Sequence, residues 1–412
     1  TTIASSEHVT RVIVSAGNVT DIDSGFSFDV ITRTGDGDDD LSANRSMQGS
    51  LRQFIQNANA ISGIQTSGFR LQTSDSNYNV AGMDEYRFVP TSALPSISDS
   101  IVLDGTTQSG FSTAPIIELH GSSAGASVNG LNLNVAGNTV RGFVINSFAS
   151  GYGIYIPMGG GNTVTGNYIG TNVSGTAALA NSYGVFVNNV GNNTIGGPTA
   201  AARNVISGNT NDGVYITGAG ATGNAIQGNY IGTDVTGTTA LGNGRYGVQI
   251  TGSASGNTIG DTVAGAGNVI SGNVSSGIQI SSSNNTVQGN LIGTNAAGTA
   301  ALANGVSGSS TGGIAITGGT GTVIGGSATN ARNVISGNGG AGIWIQGTTG
   351  SHTIQGNYIG VDVTGDVALG NTRSGIHVES GAVTNLQIGG TGAGDGNVIA
   401  GNGTGTGGGV FL

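Results

Sequence analysis

The chain has no cysteine and no lysine, and only five of its 412 residues are proline. Without cysteine there is no disulfide framework and no thiolate metal site, a pattern that fits a bacterial extracellular protein stabilised by other means. All eleven basic residues are arginine and they form no basic cluster, so nucleic acid is not an expected partner. Charge of either sign is scarce, at 8% of residues with a formal net of -10. No apolar run reaches the length of a membrane span, and no signal peptide opens the sequence at Thr1, as expected of a mature or excised piece.

Glycine is abundant instead, at 80 residues, accompanied by many Val, Ile and Thr. Collagen is excluded because glycine does not recur at every third position and proline is rare. Disorder is excluded because disordered chains are charge-rich and poor in β-branched residues. Fourteen of the twenty-one acidic residues precede residue 119, so composition shifts there from a mixed segment to a nearly uncharged array.

That array is a repeat. GNYIGTNVSGTAALAN from Gly166 recurs as GNYIGTDVTGTTALGN from Gly228, GNLIGTNAAGTAALAN from Gly289 and GNYIGVDVTGDVALGN from Gly356. A second block interleaves with it, for example GGPTAAARNVISGN from Gly196 and GGSATNARNVISGN from Gly325. A shorter signal, glycine followed by aliphatic, any residue and aliphatic, occurs nine times from GIYI at 153 to GVFL at 409, at steps of 29 to 36 residues. The period-two alternation is that of a half-buried strand. Each step holds two further short strand signals, such as NTIGG at 193 and NVISGN at 204, and no 3.6-residue apolar period.

Three short strands per turn describe an all-β coil, a parallel β-helix in which each strand pairs with its equivalent one turn away. At about 4.8 Å per turn, the nine marked turns predict a rod roughly 40 Å long. Val185, Val214, Val248 and Ile278 are expected in one inward column, with Val187, Ile216, Ile250 and Ile280 in its neighbour. Extra residues fall after the third strand in one turn and before it in the next, so the full period is two turns. Glycine suits corners that need positive φ. The asparagines that follow it, such as Asn209, Asn229 and Asn273, have two readings: a hydrogen-bonded ladder along the coil, or mere tolerance of left-handed turns.

The array over 100–412 resembles the right-handed parallel β-helix repeats of the pectate-lyase-like superfamily, in the form found as modules of large bacterial secreted and surface proteins. GSLRQFIQNANAISG at 49–63 resembles the helix that opens such modules. VTDIDSGFSFDV at 19–30 resembles the last strand of a preceding β-sandwich repeat. The resemblance implies a strand or linker over 1–30, a cap region over 31–99 with a helix at about 50–60, and the coil over 100–412. The residues themselves agree: Ser50 to Gln53 reads as a capping box, and Leu51, Phe54, Ile55 and Ala58 form one apolar face able to close the open end of a coil. GVFL interrupts a turn at Leu412, so continuation of the chain, cover by another chain, or head-to-tail self-association through that uncapped end is expected.

The outward residues of the first strand form a row: Tyr155, Phe186, Tyr215, Gln249, Gln279, Ala315, Trp344, His377 and Phe411. A polar row of Asn188, Thr217, Thr251, Ser281, Thr317, Gln346 and Glu379 runs beside it. Rings that pack on sugar C–H faces, with hydroxyls and amides alongside, suit a polysaccharide, and the resemblance places glycan on the same sheet. The alternative is that the rings pack on one another along the rod. Catalysis requires paired ionisable groups, for which the outward rows offer only His377 with Glu379, near Trp344 and Arg373 of the preceding loop. Asp362 and Asp366 share one variable loop. Asp36, Asp38 and Asp40 alternate like the start of a calcium loop, but Leu41 and Met47 stand where such a loop needs glycine and glutamate. Arg203 and Arg332, before matching strands, are expected to bridge neighbouring corners. The combined expectation is a rigid extracellular structural or adhesive module that binds polysaccharide on the aromatic row, with a polysaccharide lyase, hydrolase or epimerase as the alternative and no cofactor other than calcium.

Overall fold

The computed structural model describes residues 29–37, 49–308, 312–347, 350–379, 383–403 and 408–412. Val and Ile dominate strands of two to six residues, separated by glycine corners, and these stack into three long parallel sheets of 10, 11 and 11 strands. In every sheet, neighbouring strands belong to successive turns, the ordering of a right-handed parallel β-helix. The first sheet carries the glycine-aliphatic signal, the second the NTIGG type and the third the NVISGN type.

The register is that of the repeat. Val185 pairs with Val214, Val214 with Val248 and Val248 with Ile278, each fully buried. Inward side chains of all three sheets merge into one column of core from Ile31 to Ile376. Burying each Val or Ile contributes about 1.5–3 kcal/mol, so the dry column is the main source of stability.

Corners decide how the strands can be so short. Gly228 has φ +67°, and a Cβ there would lie 2.0 Å from the Gly197 carbonyl oxygen, so only glycine fits. The asparagine after it behaves differently. Asn229 donates its backbone N–H and its Nδ2 to the Oδ1 of Asn268, and Nδ2 also reaches the Ile195 carbonyl. The same bonds link Asn167 through Asn204, Asn229, Asn268, Asn290, Asn333 and Asn357 to Asn397 at 2.9–3.1 Å. A second ladder runs from Asn181 to Asn402 after the third sheet. A third, from Asn138 to Asn285, precedes the second sheet. No ladder asparagine has positive φ; where the corner bends left-handed, the residue before it does so, glycine in most turns and Asn192 or Asn284 in two turns of the third ladder, while the ladder asparagine satisfies the buried backbone there.

The N-terminal end is closed by a helix, Leu51–Ala60, capped by Ser50, whose Oγ accepts the Gln53 N–H at 3.0 Å. Leu51, Phe54, Ile55 and Ala58 are buried in the same core as the coil. The sheets extend into the cap region. Gln65–Thr66 opens the second sheet and Tyr86–Phe88 the third, in turns whose sequence lacks the glycine signal. Val30–Ile31 pairs in parallel with Gly68–Phe69; the remainder of the sandwich-like stretch lies outside the described residues.

Two exterior columns explain the two-turn period. Each sixteen-residue copy forms a small hairpin outside the third sheet, bridged at Thr171 to Ala178, Thr233 to Ala240, Thr294 to Ala301 and Val361 to Ala368. Successive hairpins bond to one another, Val235 N–H to Gly175 O at 3.0 Å, Ala296 to Gly237 at 2.8 Å and Val363 to Gly298 at 3.0 Å. Asp362, read as sharing a variable loop with Asp366, caps its own hairpin by accepting from Thr364, Gly365 and Val367. The loops before the third sheet stack likewise, with Asn330 Nδ2 donating to Thr262 O at 2.9 Å.

Candidate functional site

On the first sheet the expected outward row stands in register, Tyr155 against Phe186, Phe186 against Tyr215, and so on through Gln249, Gln279, Ala315, Trp344, His377 and Phe411. Chemically the row splits. Gln279 and Ala315 are buried, and Gln279 donates to Thr317 Oγ1 at 2.6 Å, so the middle of the row presents little to a ligand.

At its N-terminal part, five half-buried rings form one platform. Phe186 stacks on Tyr215 at 4.7 Å and 19°, and Tyr152 meets Tyr155 at 5.0 Å, Phe186 at 4.7 Å and Tyr183 at 5.6 Å. The rings therefore do pack on their neighbours, while their outer faces remain open. Asn188 bonds the Tyr155 hydroxyl at 3.1 Å, bringing the polar row to the platform's edge. Tyr152 and Tyr183 escaped the sequence reading because strict alternation turns the residue before glycine inward. Both tyrosines nevertheless join the outward rings, and the glycine after each packs too closely on the next turn for a side chain, a Cβ at Gly153 lying 2.8 Å from the Gly184 carbonyl oxygen.

Asp212, at the corner leading into the Tyr215 strand, is fully buried. Its Oδ1 accepts the Tyr246 N–H at 3.1 Å, while Arg245 stands 3.9 Å from Oδ2. Burial pushes this carboxyl up to about 6, and the Tyr246 N–H and Arg245 offset only part of the rise. It lay among scattered aspartates in the sequence, where nothing marks burial.

The second end of the row gathers the residues expected for chemistry. His377 stacks on Phe411 at 4.8 Å and 12°. Burial and the charge of Arg373 push its imidazole below the ordinary range, and Glu379 pulls the other way, so the three stand within electrostatic reach of one another. Trp344 Nε1 and Glu379 Oε2 are buried without a hydrogen-bond partner among the described residues. Five turns separate this group from Tyr215, so the two ends cannot act on one bond.

Of the calcium candidates, Asp36 binds Arg52 at 2.9 Å and accepts from the Thr91 N–H and hydroxyl, which commits its carboxylate to fastening the capping helix. Asp38 and Asp40 lie outside the described residues. A histidine the sequence reading passed over, His120, has Nε2 at 3.1 Å from the Ser147 hydroxyl, and Ser147 sits at φ +64°. His120 Nδ1 faces both the Ser122 hydroxyl at 3.0 Å and the Ser122 N–H at 3.4 Å, so either ring nitrogen can carry the proton and the contact with Ser147 has no fixed direction.

No helix among the described residues is long and apolar enough to cross a membrane. No family model matches the sequence, and no curated protein matches it. Among solved structures, the Dettilon tailspike protein is 14% identical, with a TM-score of 0.46 over 93% of this chain and 67% of its own. The A-module of the Azotobacter vinelandii mannuronan C-5 epimerase AlgE6 is 15% identical, with a TM-score of 0.44 over 86% of this chain and 93% of its own. The full-length tailspike protein 2 of Escherichia coli O157:H7 bacteriophage CAB120 is 14% identical, with a TM-score of 0.41 over 87% of this chain and 43% of its own. The architecture of this chain rests on its own strand pairing: it is a right-handed parallel β-helix with an aromatic platform on one sheet.

Proposed function

We propose that this protein is a rigid extracellular rod of a bacterial surface or secreted protein that holds polysaccharide against the platform of Tyr152, Tyr155, Tyr183, Phe186 and Tyr215. The observation that carries the reading is the platform itself, five rings fixed over three turns with their outer faces open and amide and hydroxyl groups at the edge. Rings held by the strands lose little freedom on binding, and sugar C–H faces pack on them while hydroxyls find Asn188 and Thr217. Binding without turnover is favoured because the carboxyl beside the platform, Asp212, is buried against Arg245, and no second carboxylate stands with it among the described residues, whereas hydrolysis requires two carboxyl groups about one bond.

A glycan array probed with the wild type, Phe186→Ala, Tyr215→Ala and Trp344→Ala tests the reading. Retention of a polysaccharide by the wild type, lost in the first two variants and kept in the third, is the expected result. Equal retention by all four proteins, or by none, removes it. Appearance of unsaturated sugar product from a uronate polymer replaces it with the lyase alternative.

A further inference from the structure

The third sheet has an outward row too, and it is apolar. Val205 pairs with Tyr230, Tyr230 with Val269, Val269 with Leu291, Leu291 with Val334 and Val334 with Tyr358. The two exterior loop columns stand on either side of this row and leave a trough between them. Ala200 and Ala201 of one column and Val235 of the other wall a cavity of about 180 Å³ around Arg203. Higher up, Thr329 and Val363 wall one of about 380 Å³ around Arg332. At the lower end the trough shares Thr113, Gly166, Ala200 and Ala201 with a cavity of about 650 Å³ backed by Phe111.

Arg203 and Arg332 are mounted identically. The first lies 4.2 Å over the ring of Tyr230 with Nε donating to Gly228 O, and the second 4.0 Å over Tyr358 with Nε donating to Gly356 O. They bridge adjacent turns, as expected from the sequence. Both guanidiniums are thus oriented in advance, and neither has a carboxylate within ion-pair distance among the described residues, unlike Arg52, Arg87, Arg141 and Arg245. Asp261 shares the upper cavity, but its carboxylate accepts from Gln227 Nε2 and the Thr262 N–H.

We propose that this trough is a second binding site, for a linear polysaccharide with widely spaced carboxylates that lies along the rod and pairs one carboxylate with Arg203 and another with Arg332. The ladder from Asn204 through Asn229, Asn268 and Asn290 to Asn333 counts four turns between the two arginines. At roughly 4.8 Å per turn they stand about 19 Å apart on one face. Two equal cations on one rigid face select a repeating ligand rather than a small one. Sparse charge follows from the spacing: the two arginines stand about 19 Å apart with Gly267 at the matching corner between them, so a polymer charged at every sugar would leave most of its carboxylates unmatched. A sugar chain fits better than an acidic peptide because the strands beneath are already paired on both sides and offer no free edge to a peptide backbone.

The probe is deacylated gellan, which carries one glucuronate per tetrasaccharide repeat, with carboxyl-reduced gellan, polygalacturonate and a glutamate-containing peptide as comparisons. Calorimetry on the intact chain uses Arg203→Met and Arg332→Met, singly and together, since methionine keeps the stem over the tyrosine; a thermal melt of each variant confirms folding. Each single change is expected to weaken gellan binding about tenfold, Arg203→Met the more because Asp261 already opposes the upper site. The double variant is expected to bind gellan only as weakly as the wild type binds the carboxyl-reduced polymer, while Tyr215→Ala leaves the arginine-dependent part unchanged. The proposal is overturned by undiminished binding in the double variant, by an arginine-dependent preference for polygalacturonate or the peptide, by loss in Tyr215→Ala alone, or by no binding of gellan to the wild type.

Discussion

The outer faces of the first and third sheets show how one coil makes two kinds of surface. Both sheets send Val and Ile inward to the same core. On the first sheet the strands end in short turns, and the outward row is aromatic or polar apart from Ala315, with its Tyr155, Phe186 and Tyr215 end half-buried and Gln279 and Ala315 buried in its middle. On the third sheet the strands from Tyr168–Ile169 onward are each flanked by an extra loop, and the outward row there is Val, Leu and Tyr; Val144, Tyr168 and Val205 form a small exterior core with Val173 of the first hairpin. Loop placement therefore decides which outward residues are structural. A ring on the third sheet is mostly cover for the coil, whereas a ring on the first is left facing solvent.

The largest expected effect breaks this comparison directly. Val269→Asp puts a charge under the loop columns, between Tyr230 and Leu291, where 5% of the native side chain is exposed. Its cost is about 4 kcal/mol, from a buried carboxylate without a partner. Gln249→Asp, at the equivalent outward position of the first sheet, costs no more than about 0.5 kcal/mol. Urea unfolding of both variants measures the difference, and similar midpoints would mean that the loops cover nothing.

Next comes the ladder that both faces share. Asn229→Ala deletes two donors and an acceptor and strands the Ile195 carbonyl and the Asn204 N–H and Nδ2 inside the corner. About 3 kcal/mol is expected, by the penalty for unsatisfied buried groups. Asn211→Ala, at an exposed bend where the side chain makes one bond to Ser182, is the control and is expected to cost under about 1 kcal/mol. Comparable losses at the two positions would reduce the ladder to ordinary turns.

A third, smaller effect belongs to the platform. Phe186→Ala removes contacts to Tyr152, Tyr155, Tyr183 and Tyr215 on a half-buried ring and is expected to cost about 2 kcal/mol. A cost near zero would show that the rings stand independently and that the platform is not a fixed surface.

The coil, its register and its inward columns were legible because a period-two apolar pattern repeated at a near-constant step leaves only one way to bury itself. The helix was legible from Ser50 and the spacing of Leu51, Phe54, Ile55 and Ala58. The aromatic row was half legible: its central members obey alternation, but Tyr152 and Tyr183 join it from the position before a glycine, where alternation alone puts an inward residue. The trough was not legible, because Tyr230 and Arg203 are 27 positions apart in the sequence and meet only when the turns stack. Between the two arginines the copies carry Gly267, and the next turn there has Leu291 in place of tyrosine. Guanidinium and ring thus come and go together along this corner.

Asp212 gives the smallest effect and the one that sharpens the contrast between the faces, since it is the buried acid beside the uncovered one. Folded, its carboxyl holds a proton up to about pH 6, while the unfolded chain releases it near 3.8, the ordinary value for an aspartate. Between those limits the folded state binds more protons, so this group's contribution to stability falls as pH rises and the loss is complete above about pH 6. At about 1.4 kcal/mol per pH unit the full penalty would approach about 3 kcal/mol. Asp212→Asn keeps the acceptor for the Tyr246 N–H and removes the penalty, but it also forfeits the attraction of Arg245. The expected net gain is about 1 kcal/mol at pH 7, with no gain at pH 4. Urea midpoints at the two pH values check it: a variant that keeps the wild-type slope between them would show that Asp212 is solvated or better paired than its buried position allows.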